Sequence, residues 1–361
     1  MTICFVTANS PYGGVFEGIQ SYTLALARTL VSLGHRVVVY GFSPKVKKET
    51  KLLEQGIIYW ILPDRGFSTL RKNFLLLKFV RDFRRIDARY SVDIIHGQGG
   101  FSLPLVFIKK VPRVATLHGS QPFWGTPVME KYFRLAFGRF IYPRLDGLIF
   151  VSKAVREAAF RLLPLSRMKT TVIMPIVEDK FKSLAINKEH REIKIAAAGR
   201  LETEKNFAEL IKAVESLIAK KYKISLNIYG EGRLKKKLNG KFLAGLVSQS
   251  ELAKVYRECD LFVLPSTREG MPGVLIEAIS SGAIPVVSQL PGIDEVIKDQ
   301  VNGFIIPWPS TSQNIEQTLL RAFSLKKNWF KIHQNAQKTA ERIFSSDKNI
   351  KEMIKFYHQL V

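Results

Sequence analysis

Leu261-Phe262-Val263-Leu264-Pro265-Ser266-Thr267-Arg268-Glu269-Gly270-Met271-Pro272-Gly273-Val274-Leu275-Ile276-Glu277-Ala278 is the stretch on which the fold turns. Four consecutive apolar residues read as a strand buried on both faces, the Pro, Ser and Gly positions as a turn, and Gly273 to Ser281 as a helix. A strand that passes through a short turn into a helix is half of a βαβ crossover, the connection that joins parallel strands. Units of this kind surround it. Strands are expected at 193–198, 225–229 and 284–287, with helices at 207–220 and 250–258. Upstream, Ile3-Cys4-Phe5-Val6-Thr7 runs into Asn9-Ser10-Pro11-Tyr12-Gly13-Gly14, and Ile19, Tyr22, Leu26 and Leu30 then recur at helical spacing until Gly34. Val37 to Tyr40 follows as a second strand, and later candidates are 57–62, 93–96, 114–117, 147–151 and 169–173. The weakly patterned polar segment from about Pro175 to Glu192 separates the two series. The expectation is α/β, with two parallel-sheet domains at 1–175 and 176–346.

The length of 361 residues fits two domains, each large enough for its own core. A hydrophobic content of 46% excludes a disordered or fibrous chain, and no repeat of 20–50 residues points to a solenoid or propeller. Cys4 and Cys259 lie in or beside apolar runs, which does not suggest a disulfide framework. With no cleavable leader and no run of about 18 apolar residues, a reducing cytoplasmic setting is expected. The charge is the unusual quantity: 55 Lys and Arg against 31 Asp and Glu give +24, so an anionic partner is expected.

Two loops at strand ends carry the candidate chemistry. In the opening stretch, backbone N–H groups from Met271 through Pro272 and Gly273 to Val274 would sit at a helix N-terminus, where the dipole favours an anion such as phosphate; Pro272 itself has no N–H to offer. Glu277 would then accept from ribose hydroxyls, and Glu269 would touch a sugar beyond the phosphates. The alternative is that both are solvated acids at a helix end. The second loop, Gly199-Arg200-Leu201-Glu202-Thr203-Glu204-Lys205-Asn206, places a guanidinium and an ammonium beyond strand 193–198. Together they could neutralise a diphosphate without a metal. No two aspartates stand two apart, and His-Glu-x-x-His, a paired Cys-x-x-Cys and a Walker loop are all missing, so no metal site is expected. The lack of a complete G-x-G-x-x-G removes the main support for a dehydrogenase.

Glu269 to Glu277 resembles the E-x7-E signature of retaining glycosyltransferases of family 4, the group 1 glycosyltransferases. Further pieces follow in that family's order. Gly199-Arg200-Leu201 with Lys205 resembles its diphosphate grip, Tyr229-Gly230-Glu231-Gly232 its second-strand turn, and Gly282 to Val287 the strand after the signature helix. Pro291 to Ile297 and Asn302 to Ile306 continue the match. In the first half Gly13-Gly14 resembles the donor-facing glycine loop, His118-Gly119 the histidine motif, and Val151-Ser152-Lys153-Ala154 a recurring strand-to-helix turn. The resemblance covers nearly the whole chain. It implies the GT-B architecture, two Rossmann-like domains facing across a cleft, with helix 347–361 packing back on the first domain. It also implies a nucleotide-diphosphate sugar as donor, a UDP-sugar over a GDP-sugar, and no cofactor. Transfer to a hydroxyl of a glycan or lipid-linked acceptor would retain configuration, as in assembly of a bacterial-type surface polysaccharide or glycolipid. In this picture Gly13, Gly14, Gly199, Gly230, Met271 to Val274 and Glu277 bind the donor. Arg200, Lys205 and Glu269 serve both binding and catalysis, and His118 lies near the sugar. Base recognition falls at Leu246 and Val247, beside a stretch from Gly232 to Gly245 that is shorter than the family's. Asn206 stands where the family often has glycine. His96 also ends a strand, where shaping the loop is as good a reading, and it is not counted with the site.

The net positive charge leans to the first half, where residues 1–180 carry 27 basic and 12 acidic residues (27 − 12 = +15) against 28 and 19 (+9) in the remainder. Segments 65–89 and 131–144 interleave them with aromatic and aliphatic side chains, a mixture suited to an anionic membrane surface and a peripheral place on its inner face. The plainer reading is that Leu76, Phe79, Phe83, Ile86 and Tyr90 form a helical stripe packed on the sheet. A nucleic-acid binder would show a recognisable module with stacking aromatics, and none is present, so no nucleic acid is expected. A non-catalytic sugar-nucleotide-binding protein and a GT-B sugar-nucleotide epimerase share the same binding residues and remain the alternatives.

Overall fold

The computed structural model of the chain describes residues 1–12, 18–66, 75, 77–99, 102–119, 128–182 and 192–361, without the side chains of 128–131, 133 and 134. The chain divides into two compact units, Met1–Ile176 with Ser346–Val361, and Val177–Ser345.

The first unit is built on an eight-stranded sheet. Its strands are β1 (Thr2–Asn9), β2 (Arg36–Ser43), β3 (Thr50–Glu54), β4 (Ile57–Pro63), β5 (Ile94–Gln98), β6 (Arg113–Leu117), β7 (Gly147–Phe150) and β8 (Lys169–Val172). They lie in the order β3-β4-β2-β1-β5-β6-β7-β8, all parallel except β3 against β4. Ile3, Cys4, Phe5 and Val6 are fully buried, because a central parallel strand is covered on both faces. The helices are α1 (Gly18–Ser32), α2 (Lys78–Tyr90), α3 (Val128–Ile141) and α4 (Lys153–Leu162). On α2, Phe79, Phe83 and Ile86 are buried while Arg81, Arg84, Arg85 and Arg89 are exposed. Three members of the expected stripe therefore face the core, Tyr90 is half-buried, and Leu76 lies outside the described residues.

The second unit has a six-stranded, all-parallel sheet of β9 (Ile193–Ala198), β10 (Ile224–Tyr229), β11 (Leu243–Gly245), β12 (Leu261–Leu264), β13 (Ile284–Ser288) and β14 (Phe304–Ile306). The order is β11-β10-β9-β12-β13-β14, the doubly wound arrangement in which the strand order reverses between β9 and β12. Its helices are α5 (Phe207–Ala219), α6 (Gln249–Glu258), α7 (Gly273–Ser280), α8 (Ser312–Ser324) and α9 (Trp329–Ile343). Leu210, Val214 and Leu217 of α5 and Ile315 and Leu319 of α8 form one core with β9, β10 and β12 to β14. The last helix, α10 (Ser346–His358), belongs to the first unit and buries Ile350, Met353, Phe356 and Tyr357 against Ile3, Phe5, Tyr22 and Leu26. Gly147 makes room for it: a Cβ there would stand 2.8 Å from the ring of Phe356.

The structure corrects the reading of His96. It does not end a strand, because β5 runs on through Gly97 to Gln98 and leaves His96 fully buried. The edge strand β3 and the three-residue strands β11 and β14 were also not expected. Cys4 and Cys259 are buried and form no disulfide, and burial pushes the Cys4 thiol pKa up. Among the described residues, no helix is long and apolar enough to cross a membrane.

Candidate active site

In an open parallel sheet, loops on either side of the point where strand order reverses leave toward opposite faces, which opens a crevice at the carboxyl ends of the strands. In the second unit that point lies between β9 and β12, the two strands that precede the candidate loops. The loops are tied together directly. Thr267 N–H donates to the Glu204 carbonyl at 2.8 Å, and Lys205 Nζ donates to Glu269 Oε1 at 2.5 Å. Ser266 Oγ donates to the same carboxylate oxygen at 2.8 Å. The Lys205 and Glu269 side chains are only 13% and 12% exposed, so the pair is held in a largely desolvated place where charge interactions are strong. Arg200 reaches Glu204 at 3.1 Å and remains 49% exposed. Each cation of the loop after β9 thus rests on a carboxylate.

Glycine shapes the neighbouring turn. Beyond their strands, β9 and β10 continue as a close backbone pair, with Gly199 N–H donating to the Tyr229 carbonyl at 3.0 Å and Leu201 N–H to the Glu231 carbonyl at 2.8 Å. Gly230 has a φ of 146°, and a Cβ on it would fall 1.9 Å from the Gly199 carbonyl oxygen, so no other residue fits. Asn206 adopts the left-handed conformation with φ 57°, a region asparagine tolerates better than most side chains, and its amide donates to the Ser310 carbonyl at 2.7 Å. That conformation is a physical reason for glycine at this position.

Helix α7 begins at Gly273 with Pro272 as its cap residue, no side-chain cap and no acidic residue in its first turn. Met271 and Pro272 are buried, while Gly273 and Val274 are half-buried. Glu277 is 8% exposed and Glu269 is ion-paired, so neither is a solvated helix-end acid. Burial first, then the Glu277 carboxylate, pushes the Tyr256 phenol well above its ordinary pKa. Leu246 is exposed and Val247 half-buried in the connection after β11, which follows the turn at 233–239 where no helix forms.

In the first unit the reversal lies between β1 and β5. Gly13 and Gly14, in the loop after β1, lie outside the described residues. His118 directly follows β6, the neighbour of β5; its Nε2 and Gln98 Oε1 are 2.8 Å apart, and its ring stands edge-on to Tyr22 at 4.8 Å. Burial lowers the His118 pKa to about 3, so the ring is neutral at ordinary pH. Among the described residues, no group of three or more His, Cys, Asp and Glu side chains is arranged to hold a metal ion. The sequence reading gave no role to Ser266, Glu204, Thr267, Gln98 or Tyr22. Ser266 lay within the quoted turn, but its aim at Glu269 depends on a fold-back that spacing does not reveal.

Two family profiles tile the chain: glycosyltransferase family 4 over residues 16–181 and glycosyl transferases group 1 over residues 178–339. The chain belongs to the group 1, family 4 glycosyltransferases. A relative from Schizosaccharomyces pombe, the phosphatidylinositol N-acetylglucosaminyltransferase gpi3 subunit, is 22% identical over 80% of this chain and 67% of its own length. Across other relatives the matched stretch spans from 37% to 71% of the relative's length. Sucrose-phosphate synthase from Thermosynechococcus elongatus superposes with a TM-score of 0.85 at 18% identity, covering 99% of this chain and 98% of that one. HepE from Anabaena, solved with UDP and glucose, gives a TM-score of 0.74 at 16% identity over 99% of both chains. At these identities the likeness is one of fold, and the glycosyltransferase has the GT-B architecture of two Rossmann-like units.

Proposed function

We propose that this glycosyltransferase moves a hexosyl unit, with retention of configuration, from a nucleotide-diphosphate sugar to a hydroxyl of a glycan or lipid-linked acceptor. The observation that carries the reading is the junction of the β9 and β12 loops, where Lys205 and Glu269 meet beside the first turn of α7. In the proposal the diphosphate takes Lys205 and Arg200 as counter-charges and the amides of α7 as donors. Glu269 accepts from the sugar, and Glu277 from the ribose. Charge that develops on the departing phosphate is stabilised by the same groups, an effect that can supply several kcal/mol. That phosphate accepts the proton of the incoming hydroxyl, so no strong base is needed. His118, neutral at ordinary pH, orients a hydroxyl at the reacting centre rather than contributing a cation. No metal takes part in this scheme, and UDP is favoured over GDP, a choice supported by the UDP in the HepE structure.

A lipid-linked acceptor is supported by the name of the fission-yeast relative and by the exposed arginines of α2. Arg139, Arg144 and the 45% exposed Phe140 add to the same character around α3. A handful of such contacts at about 1 kcal/mol per basic residue gives reversible attachment to the inner face of an anionic membrane, in the course of polysaccharide or glycolipid assembly. A thermal-shift panel of UDP-, GDP- and ADP-sugars tests the donor, followed by NMR of the product's anomeric configuration. Isomerised free donor without transfer would make the protein an epimerase, and binding without turnover a sensor; either result overturns the proposal. Flotation with no preference for anionic vesicles overturns the membrane part.

A further inference from the structure

Strand β5 and the end of β6 place four polar side chains on one face. The register sets Gln98 opposite Thr116, and alternation brings His96 and His118 to the same face. His96 Nε2 lies 2.7 Å from Thr116 Oγ1, and His96 Nδ1 lies 2.6 Å from the hydroxyl of Tyr357 on α10. His118 Nε2 lies 2.8 Å from Gln98 Oε1, and Tyr22 of α1 stacks edge-on against His118. His96, Gln98 and Thr116 are all fully buried.

A buried amide is costly unless its hydrogen bonds are made. Among the described residues Gln98 Nε2 has no partner, and the bond to His118 is the one its side chain makes. An aliphatic residue would fill this position without that cost. The function of Gln98 is therefore sought in what it does to the imidazole. With Oε1 turned to the ring, as it stands here, the amide accepts; the single N–H of a neutral imidazole then sits on Nε2, and Nδ1 is the acceptor. Among the described residues Nδ1 has no hydrogen-bond partner.

We propose that Gln98 is a positioning residue that holds His118 as the neutral Nε2–H tautomer, leaving Nδ1 to accept a hydrogen bond from a hydroxyl at the reacting centre. This rests on the reading of His118 given above. Among the described residues, the groups on this face beside His118 are Tyr22 from α1, stacked edge-on to its ring, Gln98 from β5, Thr116 two residues back and, farther along β5, His96; none of them carries a formal charge at neutral pH. The wrong tautomer would turn a donor toward the hydroxyl proton, so the bond would be lost rather than weakened.

Two-bond 1H–15N NMR of the imidazoles, assigned with His118→Gln, reads the tautomer without any ligand. The expected result is Nε2–H at His118 in the wild type, loss of that preference in Gln98→Leu, and its retention in Gln98→Glu, whose carboxylate accepts the same bond. With the sugar nucleotide that the panel selects, Gln98→Leu is expected to lower kcat by roughly 10- to 100-fold, the range seen when groups that orient metal-bound histidines are removed. KM for the donor should change little, and Gln98→Glu should recover part of the loss. Nδ1–H in the wild type overturns the proposal, as does a Gln98→Leu protein that folds and keeps its kcat. Full activity in His118→Ala overturns the reading of His118 itself, whatever the tautomer.

Discussion

Lys205→Ala and Glu269→Gln remove the two halves of one ion pair, yet only the first should weaken diphosphate binding. Lys205 is held by Glu269 at 2.5 Å, and Ser266 supports the same oxygen. Removing the lysine deletes a charge-assisted contact to phosphate worth about 1.5–3 kcal/mol, which is roughly a 10- to 100-fold loss in UDP affinity. It also strands a carboxylate that is 12% exposed. Breaking a fully buried pair costs about 3–5 kcal/mol, and the remaining bond from Ser266 and the partial exposure bring the expected loss of stability to about 2–3 kcal/mol. Glu269→Gln keeps an acceptor oxygen for both Ser266 and Lys205 and should cost only about 1 kcal/mol. The ammonium is then no longer neutralised, so UDP should bind as well as before or more tightly, while sugar transfer falls. Calorimetric titration with UDP, alongside urea unfolding of each variant, measures both effects. If Glu269→Gln weakens UDP as much as Lys205→Ala does, Lys205 does not serve the phosphate and the scheme fails.

Three further outcomes are expected. Burial lowers the pKa of His96 and of His118 from 6.5 to about 3. In that window the unfolded chain binds more protons, so stability is complete above pH 6.5 and falls with pH at up to ~1.4 kcal/mol per unit for each histidine. Urea unfolding at pH 7.5 and 5.5 should show this, and His96→Asn should remove one of the two slopes; an unchanged slope contradicts the burial argument. Gly230→Ala should cost about 3 kcal/mol or more and abolish nucleotide-induced thermal shifts, while Gly240→Ala, whose Cβ would meet nothing within 4 Å, should melt near the wild type. Transfer activity should survive EDTA dialysis unchanged, and restoration of a lost activity by added Mg2+ would refute the metal-free scheme.

Central strands were legible because burial on both faces writes them as unbroken apolar runs, as in Val37 to Tyr40 and Leu261 to Leu264. The edge strand β3, Thr50-Lys51-Leu52-Leu53-Glu54, is half solvated and lacks strict alternation, so its pairing with β4 had no sequence signal. His96 was misplaced because Gly97-Gln98-Gly99-Gly100 looks like a turn. Gly97 instead sits inside β5, where a Cβ would stand 2.7 Å from Ser102 Oγ, so the glycine marks close packing rather than a break. At the donor seat, the residue types and their strand-end positions could be read. The partners could not, since the bonds from Thr267 to Glu204 and from Ser266 to Glu269 depend on how two separate loops fold back. Asn206 differs in kind: the sequence shows only that it stands where the family often has glycine, and the left-handed backbone gives that position a conformational reason.

The return of α10 to the first unit affects how the chain emerges from the ribosome. Residues 1–176 include an apolar cluster around Ile3, Phe5 and Tyr22 whose cover is only partial until Ile350 to Tyr357 have been made, after the whole of the second unit. The domain synthesised first is thus the one finished last, and its exposed apolar face is a target for chaperones or misassembly throughout that interval. Vectorial folding, domain by domain, is available to residues 177–345 but not to the segment that precedes them.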